Sequence, residues 1–389
     1  MSSTDRTPLY QKIQDYIREL IDSNELKEGD RIPTEKELMD RFNVSKITVV
    51  NALSGLAAEK LISRVPGRGT FVSGRQPEEA APDFPLQQPG AALSAPERGA
   101  GRRRSGLIGL VMPSIDDYFA IRLIDGVRMA LEDKGYRSVI LLSGGQVDKE
   151  KEAIKTLKEI GAEGLLIFPV DEEQYNEEIL AMKFSGFPFV LIDRYLPGVE
   201  TNYIASDGRM GTSLAVDHLW ELGHREIAIC SDSPMQTVTV QERLEGYMNE
   251  LKNKGALINP AHMITGFRVE SLKKAETHPL FRYIRNRMAT AYITLNGRLA
   301  VQIYQMALQA GLRVPEDLSI VSFDDPTSIV EEFSMFTHIR QFEFDMGSRA
   351  AEKLLEVIRK GGAGGGYTKT LLEPELVVRQ TTSGPPLQG

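Results

Sequence analysis

Three polar side chains stand directly after apolar runs of the kind that forms buried strands. They are Asp193, Asn296 and Asp324. In a sheet of parallel strands such positions lie at the carboxyl ends, where α/β proteins bind their ligands. Carboxylate and amide groups suit hydroxyls that both donate and accept hydrogen bonds, as a sugar presents them. As a set, the three residues predict a ligand cleft, whereas a single residue of this kind more often caps a helix or forms a salt bridge in a loop.

A second group of residues that could take part in binding is the run of basic side chains near the amino terminus. Residues 41–75 carry six Lys and Arg side chains and one acidic side chain, although the whole chain has a net charge of −8. A local excess of positive charge can follow a phosphate backbone even in an acidic protein. The segment therefore indicates a nucleic-acid-binding surface, although a solvated helix face gives similar counts.

Residue patterns typical of catalysis or metal binding are not recognised in the sequence. The five histidines are scattered without the spacing of metal ligands, and the single cysteine, Cys230, lies in an apolar run typical of a buried strand. Gly361–Gly366 lacks the Lys-Ser/Thr pair that follows the glycines of a phosphate-binding loop. We therefore predict no enzymatic activity, no metal and no cofactor.

Composition divides the chain into a head, a linker, a body and a short tail. Residues 76–105 contain five prolines among Gly and Ala and show no apolar period, which is typical of a flexible linker. We assign residues 1–75 to the head, 106–382 to the body and 383–389 to a tail, and we expect the chain to fray from Thr381 to Gly389. The first residues lack the apolar core of a signal peptide and no run is long enough to span a bilayer. We therefore expect a cytoplasmic protein without membrane contact.

The head has the apolar spacing of three helices followed by a hairpin. Leu9–Leu26 carries one apolar stripe at helical spacing, and Thr34 with Glu37 forms a capping box for a second helix. Ser45 is placed to cap a third helix, and residues 61–64 and 70–72 are typical of hairpin strands. This order predicts a winged helix-turn-helix; a purely structural three-helix domain is the alternative.

Residues 8–73 resemble the GntR-type DNA-binding head. The resemblance is carried, in order, by residues 8–10, 32–38, 44–49 with 52–53, and 67–72. In that family the third helix enters the major groove and the tip of the wing approaches the minor groove. The resemblance implies a double-stranded DNA operator as partner, contacted by Lys36, Ser45, Lys46, Thr48, Arg68, Gly69 and Thr70.

The predicted recognition helix departs from the GntR pattern at two positions. The family usually has Arg where this chain has Lys46 and again where it has Val50. Arg can hold guanine through two hydrogen bonds, whereas Val can only pack on a thymine methyl group. We therefore expect the operator to depart from the usual half-site at the base that faces Val50. Asn51 could read adenine or point at phosphate or water.

The body alternates apolar, strand-like runs with amphipathic, helix-like runs. The alternation begins at Gly106–Met112 and continues to a final strand predicted at Leu371–Gln380. Continuous apolar strands separated by amphipathic helices are typical of parallel sheets covered on both faces. The predicted fold class of the body is therefore α/β.

Residues 106–382 resemble the effector domain of the lactose/galactose-repressor family, which is itself similar to periplasmic sugar-binding proteins. The matching stretches are residues 108–113, 164–167, 190–194, 219–228, 243–247, 314–320 and 323–325. The resemblance implies two doubly wound subdomains with a ligand between them. The first would comprise about residues 106–206 and 341–370, and the second about 207–340 and 371–382, so that the chain crosses over near 207 and 340.

The same resemblance implies further ligand-binding residues. Arg243, in an Arg-x-x-Gly-Tyr sequence, matches a family arginine that holds a ligand oxygen. Tyr118 and Phe119 occupy the family's aromatic position near the cleft. Where the family usually has Asn followed by Asp, this chain has Asn296 followed by Gly297. The predicted ligand site is Tyr118, Phe119, Asp193, Arg243, Asn296 and Asp324.

The pairing of head and body, together with residues 373–380, resembles the bacterial arabinose repressors. It implies a homodimeric repressor of carbohydrate-utilisation genes that a pentose such as L-arabinose releases from DNA. Another sugar or sugar derivative as the effector, or a ligand that acts as a co-repressor, is the alternative. A plain sugar-binding protein would share the body without the head, and a carbohydrate-modifying enzyme would need an acid/base pair that we do not find.

Overall fold

The computed structural model describes most of the body and part of the head. The described residues are 9–23, 25–42, 44, 48–49, 52–53, 56, 61–65, 69–72, 105–170, 175–269, 276–327, 333–361 and 366–386. They fall into two units, Met1–Gly101 and Arg102–Gly389, whose boundary lies within the predicted linker. Residues 76–104 of that linker lie outside the described part of the chain.

The amino-terminal unit contains the predicted helices and hairpin. Helix α1 spans Leu9–Asp22 and α2 spans Glu35–Phe42, and the antiparallel strands β1 (Ile62–Val65) and β2 (Gly69–Val72) form the hairpin. Of the predicted third helix, residues 48–49, 52–53 and 56 are described and are helical. Their apolar members pack with α1, α2 and the hairpin around one core that includes Ile13, Leu38, Val49, Leu56 and Ile62.

The capping box of α2 forms as the sequence predicts. The backbone N–H of Thr34 donates to Glu37 Oε2 at 2.7 Å, and the N–H of Glu37 donates to Thr34 Oγ1 at 3.3 Å. The hydrogen bonds from Thr34 also lower the pKa of the exposed Glu37 carboxyl. Two donors that the helix itself leaves without partners are thereby satisfied, which fixes where α2 begins.

The carboxyl-terminal unit contains two sheets of six described strands each. The first has the order β13-β7-β6-β5-β3-β4 and the second has the order β14-β12-β11-β10-β8-β9. All strand pairs are parallel except β12 with β14. The strands are β3 (Leu107–Met112), β4 (Arg137–Leu142), β5 (Gly164–Ile167), β6 (Phe189–Ile192), β7 (Tyr203–Ser206), β8 (Ile227–Cys230), β9 (Met263–Ile264), β10 (Ala291–Thr294), β11 (Ser319–Phe323), β12 (Thr337–Arg340), β13 (Lys369–Leu372) and β14 (Glu375–Val377).

Helices cover both faces of each sheet, which explains the continuous apolar runs of the central strands. Strands β5, β6, β8, β10 and β11 are buried at every position, because each lies between two layers of helix. The helices are α3 (Tyr118–Glu132), α4 (Val147–Glu159), α5 (Glu177–Ser185), α6 (Gly208–Glu221), α7 (Val238–Asn253), α8 (Pro279–Arg285), α9 (Gly297–Gln309) and α10 (Glu343–Arg359). The body therefore has the predicted α/β class, with two doubly wound subdomains.

The chain passes between the two subdomains at three places in its described part. Strand β7 lies in the first sheet whereas α6, which follows it, packs on α7 of the second subdomain. Strand β12 lies in the second sheet whereas α10 packs on α3 of the first. These crossovers lie where the sequence predicts them. The third crossover lies between Leu372 and Glu375.

The predicted position of the third crossover, between residues 370 and 371, is wrong. The apolar run from Leu371 to Gln380 is not one closing strand, because β13 ends at Leu372 in the first sheet and β14 begins at Glu375 in the second. Pro374 lies between them. A proline has no N–H to donate and restricts the residue before it, so the strand ends there.

The predicted frayed tail is also wrong at its beginning. The backbone N–H of Ser383 donates to Ser319 Oγ at 3.0 Å, and the carbonyl oxygen of Ser383 lies 2.8 Å from His224 Nε2. Two residues earlier, Thr381 is 1% exposed and its hydroxyl donates to the Ile320 carbonyl oxygen at 2.7 Å. Hydroxyl side chains thus join this segment to the second subdomain, whereas residues 387–389 lie outside the described part. None of the described helices is long and apolar enough to cross a bilayer.

Candidate ligand cleft and nucleic-acid interface

Asp193 and Asp324 occupy equivalent positions in the two subdomains. Each follows the strand that lies third in the order of its sheet, β6 or β11. The N–H of Asp193 donates to Ile204 at 2.8 Å, and that of Asp324 donates to Ile339 at 3.0 Å, so both are tied to the next strand. Both adopt left-handed backbone conformations, with φ of 62° and 65°. Non-glycine residues in this region carry strain and concentrate at functional sites.

Arg243 is buried beside both aspartates, on the second turn of α7. Its side chain is 7% exposed, and its guanidinium group stacks on the ring of Phe323 at 4.0 Å from the centroid. Burial lowers the pKa of Arg243, while the charges of Asp193 and Asp324 act in the opposite direction. The structure therefore brings together Arg243, Asp193 and Asp324, which the sequence predicts to share a ligand.

The guanidinium group of Arg243 is only partly engaged by the protein. Nη1 donates to the Leu295 carbonyl oxygen at 2.6 Å and Nη2 donates to Gln341 Oε1 at 2.9 Å. The buried Nε has no hydrogen-bond partner among the described residues. A buried N–H without an acceptor is costly unless a ligand or water supplies one. This orphaned donor is the feature of the cleft that most directly indicates a bound oxygen.

Gln341 is a member of the cleft that the sequence analysis missed. It lies at the second crossover, and its Nε2 donates to both carboxylate oxygens of Asp324, at 2.8 and 3.0 Å. One amide therefore holds Arg243 through its oxygen and Asp324 through its nitrogen. Gln341 also stands directly after a strand, but β12 carries polar residues at its end, and this hides the signal that marked the aspartates.

Glu343 is a second missed residue and the first residue of α10. Its side chain is 3% exposed, and its carboxyl lies 3.9 Å from Arg122 Nη1. Burial and the neighbouring Glu343 carboxyl raise the pKa of Asp324, against the hydrogen bonds from Gln341 and the charge of Arg243. A neighbouring carboxyl group disfavours the charged form of a buried carboxyl. Asp324 and Glu343 come from different subdomains, so this pair links them.

Asn296 lies at the carboxyl end of β10, but its side chain is already engaged. Its Oδ1 accepts from the N–H of Leu299 at 2.8 Å and thereby caps α9. Its Nδ2 donates to Asp232 Oδ1 at 2.7 Å. The geometry is that of the helix cap considered from the sequence, and a ligand contact by Asn296 stays a prediction.

The two aromatic residues predicted near the cleft differ in their surroundings. Phe119 is 8% exposed and packs edge-on against Phe168, with ring centroids 6.0 Å apart, within the core of the first subdomain. Tyr118, the first residue of α3, is half-buried and keeps an accessible surface. The guanidinium group of Arg194 lies over the ring of Phe168, 4.8 Å from its centroid. Phe119 therefore belongs to the core of the first subdomain, and a ligand contact by Tyr118 or Phe119 stays a prediction.

Part of the predicted nucleic-acid interface is described. Lys36 is exposed on α2, Thr48 lies on the third helix, and Gly69 and Thr70 begin the second strand of the hairpin. The remaining predicted contacts, Ser45, Lys46, Val50, Asn51 and Arg68, lie outside the described residues. Their role stays a prediction. Within the described part of the chain, no cluster of three or more His, Cys, Asp or Glu side chains could hold a metal ion.

Comparison with known families matches both units of the chain. Residues 9–72 match the bacterial regulatory proteins of the gntR family. Residues 216–382 match the periplasmic binding protein-like domain. Both resemblances inferred from the sequence motifs are thereby confirmed.

Similar proteins extend over nearly the whole chain. An arabinose metabolism transcriptional repressor of Geobacillus stearothermophilus is 28% identical over 382 residues, which cover 96% of this chain and 98% of that protein. The ribose operon repressor of Escherichia coli K12 is 26% identical over 314 residues, which cover 79% of this chain and 92% of that protein. These two relatives carry the names of transcriptional repressors.

Solved structures share the fold of the body. A putative ribose operon repressor from Burkholderia thailandensis superposes with a TM-score of 0.60 at 23% identity, covering 70% of this chain and 99% of that chain. The transcription regulator CcpA of Lactococcus lactis superposes with a TM-score of 0.61 at 21% identity, covering 71% of this chain and 98% of that chain. At this level of identity the likeness concerns the fold alone.

Proposed function

We propose that this chain, which joins a gntR-family DNA-binding domain to a periplasmic-binding-protein-like domain, is a repressor of carbohydrate-utilisation genes that a sugar releases from DNA. The observation that carries the proposal is the pair of aspartates that approach Arg243 from different subdomains, with the buried Nε of Arg243 left without a partner. Carboxylates accept from ligand hydroxyls and guanidinium donates to them, which is the pattern that a polyol requires.

The favoured effector is a pentose such as L-arabinose. Support comes from the two relatives, which are named for arabinose and ribose and span most of this chain. A different sugar or sugar derivative would use the same carboxylate and guanidinium groups. A ligand that strengthens DNA binding as a co-repressor is the remaining alternative, and the sign of the response distinguishes it.

The proposed mechanism follows from the division of the cleft between two subdomains. A ligand that contacts Asp193 and Asp324 together binds one subdomain arrangement better than others, and it shifts the population toward that arrangement. The predicted linker of about 30 residues transmits orientation poorly if it is flexible. We therefore propose that the protein acts as a cytoplasmic homodimer and that the sugar changes how the paired heads meet a two-fold operator.

The operator itself is part of the proposal. Lys36, Ser45, Lys46, Thr48, Arg68, Gly69 and Thr70 are the proposed DNA contacts, with Val50 and Asn51 on the reading face of the helix. Because Val50 cannot donate to guanine, we expect another base at the position that it faces. Selection of operators from random duplexes tests this, and recovery of guanine at that position would contradict it.

Calorimetry against a panel of pentoses and hexoses tests the ligand. We expect saturable binding of at least one sugar and its loss in Arg243→Ala, because that change removes the buried guanidinium group. Arg128→Ala is the matched control, since Arg128 forms ion pairs only along the exposed face of α3, with Asp125 and Glu132. Binding of that sugar should be unchanged in the control.

DNA binding with and without the same sugar completes the test. We expect the sugar to weaken binding to operator duplex by about tenfold or more, which lies within the range of typical coupling energies between sites. If the protein takes up no sugar and holds duplex DNA equally well in the presence of every member of the panel, the proposed function is wrong.

A further inference from the structure

A tyrosine of the first subdomain is hydrogen-bonded to a buried carboxylate of the second, beside the cleft. The hydroxyl of Tyr195 donates to Glu242 Oε1 at 2.7 Å. Tyr195 follows Asp193 by two residues, and Glu242 directly precedes Arg243. The hydrogen bond therefore joins the loop that carries one cleft residue to the helical turn that carries another.

The acceptor of this bond is held in place from its own subdomain. Glu242 is 5% exposed, and its Oε1 also accepts from Arg209 Nη1 at 2.7 Å. Arg209 lies in the first turn of α6 and pairs in addition with Glu245 at 2.8 Å. A buried carboxylate with an ionic partner and a phenol donor makes two charge-assisted hydrogen bonds, which are stronger than neutral ones. Contacts within the second subdomain thus hold Glu242 in place independently of Tyr195.

The donor is equally fixed on its side. The ring of Tyr195 stacks on that of Tyr203, with centroids 4.5 Å apart and an interplanar angle of 13°. Tyr203 is the first residue of β7, the strand that leads into the first crossover. Burial raises the pKa of Tyr195, and donation to Glu242 raises it further, so the phenol keeps its proton at neutral pH.

We propose that Tyr195, Glu242 and Arg209 form a subdomain latch that positions Asp193 against Arg243 and so sets the affinity of the cleft for its effector. The inference rests on the proposed function, because it assumes that the cleft binds a polyhydroxylated ligand. Tyr195 is a positioning residue in this account. It acts by holding the Asp193 loop at the distance from Arg243 that a ligand bridging them requires.

Tyr195→Phe is the direct test, because it keeps the ring on Tyr203 and removes only the hydroxyl. The loss of a hydrogen bond to a charged group typically changes an equilibrium constant by about tenfold or more. We expect the Kd for the sugar, measured by calorimetry, to rise by about tenfold, while the affinity for operator DNA without sugar changes less than twofold. Tyr283→Phe is the control, since its hydroxyl is hydrogen-bonded to His262 Nδ1 within the second subdomain, and neither residue belongs to the segments that the latch joins.

A double-mutant cycle separates the latch from a general structural effect. Tyr195→Phe and Glu242→Gln should each weaken sugar binding, and the double variant should be no weaker than the poorer single variant. Unchanged sugar affinity in Tyr195→Phe, or effects of the two changes that simply add, would overturn the latch.

Hydrogen exchange of the sugar-free protein distinguishes failure of the latch from failure of the proposed function. We expect amides of residues 193–196 and 238–246 to exchange about tenfold faster in Tyr195→Phe than in Tyr283→Phe, because one hydrogen bond to a charged group is lost between these segments. If the wild-type protein binds no sugar, the proposed function fails. Equal exchange in the two variants then also overturns the latch, whereas faster exchange retains it as a contact that positions the two subdomains.

Discussion

The two subdomains share one framework of packed helices but differ in the side chains that it carries. In each, the helix that follows a crossover places a first-turn carbonyl oxygen against a glycine of the helix that follows the subdomain's first strand. A Cβ at Gly126 of α3 would lie 2.0 Å from the Phe344 oxygen of α10, and a Cβ at Gly246 of α7 would lie 2.4 Å from the Arg209 oxygen of α6. Three residues before these glycines stand the buried Leu123 in one subdomain and the buried Arg243 in the other.

The ion pairs beside this framework also differ between the two subdomains. Arg122 precedes Leu123 and pairs with Glu343 in the first turn of α10. Glu242 precedes Arg243 and pairs with Arg209 in the first turn of α6, so the charges of the two pairs are reversed. Each of these ion pairs also meets the opposite subdomain, where Glu343 contacts Asp324 and Glu242 accepts from Tyr195. The comparison teaches that backbone geometry was kept while the polar groups diverged, so that one half supplies the cation of the cleft and each half supplies an aspartate.

The largest expected effect comes from breaking the shared framework. Gly126→Ala and Gly246→Ala each place a methyl group within contact distance of a backbone oxygen that cannot move without its helix. We expect each to lower the free energy of unfolding by about 3 kcal/mol, at the upper end of overpacking costs. Urea unfolding measures it.

The control for the glycine variants is Glu352→Ala on the exposed face of α10, which should stay within about 0.5 kcal/mol of wild type. Similar losses at the two glycines would support equivalent frameworks. A loss at one glycine only would show that the two helix pairs are not equivalent in energy.

A smaller effect is expected where the subdomains differ in how their sheets are closed. The second subdomain is joined to residues 381–383 through hydrogen bonds of Thr381 with Ile320 and Thr337. Ending the chain at Gln380 removes several buried hydrogen bonds, and we expect a loss of about 2 kcal/mol in unfolding free energy. A chain that ends at Pro386 is the control and should match the full chain.

Hydrogen exchange should localise the effect of the truncation. The faster exchange should be confined to the second subdomain, in β11, β12 and the segment around His218 and His224, which the removed residues contact. Equal acceleration in β3 or β5 of the first subdomain would contradict the proposed asymmetry.

The smallest expected effect concerns the carboxyl pair at the second crossover. Because the pKa of Asp324 is raised in the folded state, its protonation stabilises the fold in acid, and that contribution is lost as the pH rises through the folded pKa. Glu343→Gln removes the repelling charge. We expect it to be about 1 kcal/mol more stable than wild type at pH 8, with the difference shrinking toward pH 4.

Urea unfolding of both proteins between pH 4 and 8 measures this difference. Asp345→Asn, which changes an exposed carboxylate in the same turn of α10, is the control and should change the stability at pH 8 by less than about 0.5 kcal/mol. A pH-independent difference for Glu343→Gln would show that the Glu343 carboxyl does not raise the pKa of Asp324.

Local signals account for what the sequence predicted correctly. The strands follow from apolar runs that are contiguous in the chain, whereas the first two crossovers were implied by the family resemblance. Asp193 and Asp324 were found because each ends such a run, and the capping box of Thr34 and Glu37 spans only one turn. These signals need no knowledge of which helix packs on which.

The residues that sequence reasoning missed depend on tertiary packing. Gln341, Glu343 and Glu242 acquire their partners only when α7, α10 and the crossovers meet, and no spacing along the chain indicates those meetings. Asn296 was read as a ligand contact as well as a cap, and its cap geometry appears only with α9 in place. The third crossover was missed although Pro374 marked it, because the apolar residues on both sides were read as one strand.

The left-handed backbone at Asp193 and Asp324 restricts how this cleft can change during evolution. Only Gly, Asn and Asp occupy that conformation readily, because their side chains clash least with the backbone. Most substitutions at these two positions would therefore disturb the turn as well as the ligand contact. A lineage that adopts a new effector is thus expected to keep a short side chain at both positions and to vary the surrounding residues, which makes the two aspartates poor guides to ligand identity and their neighbours better ones.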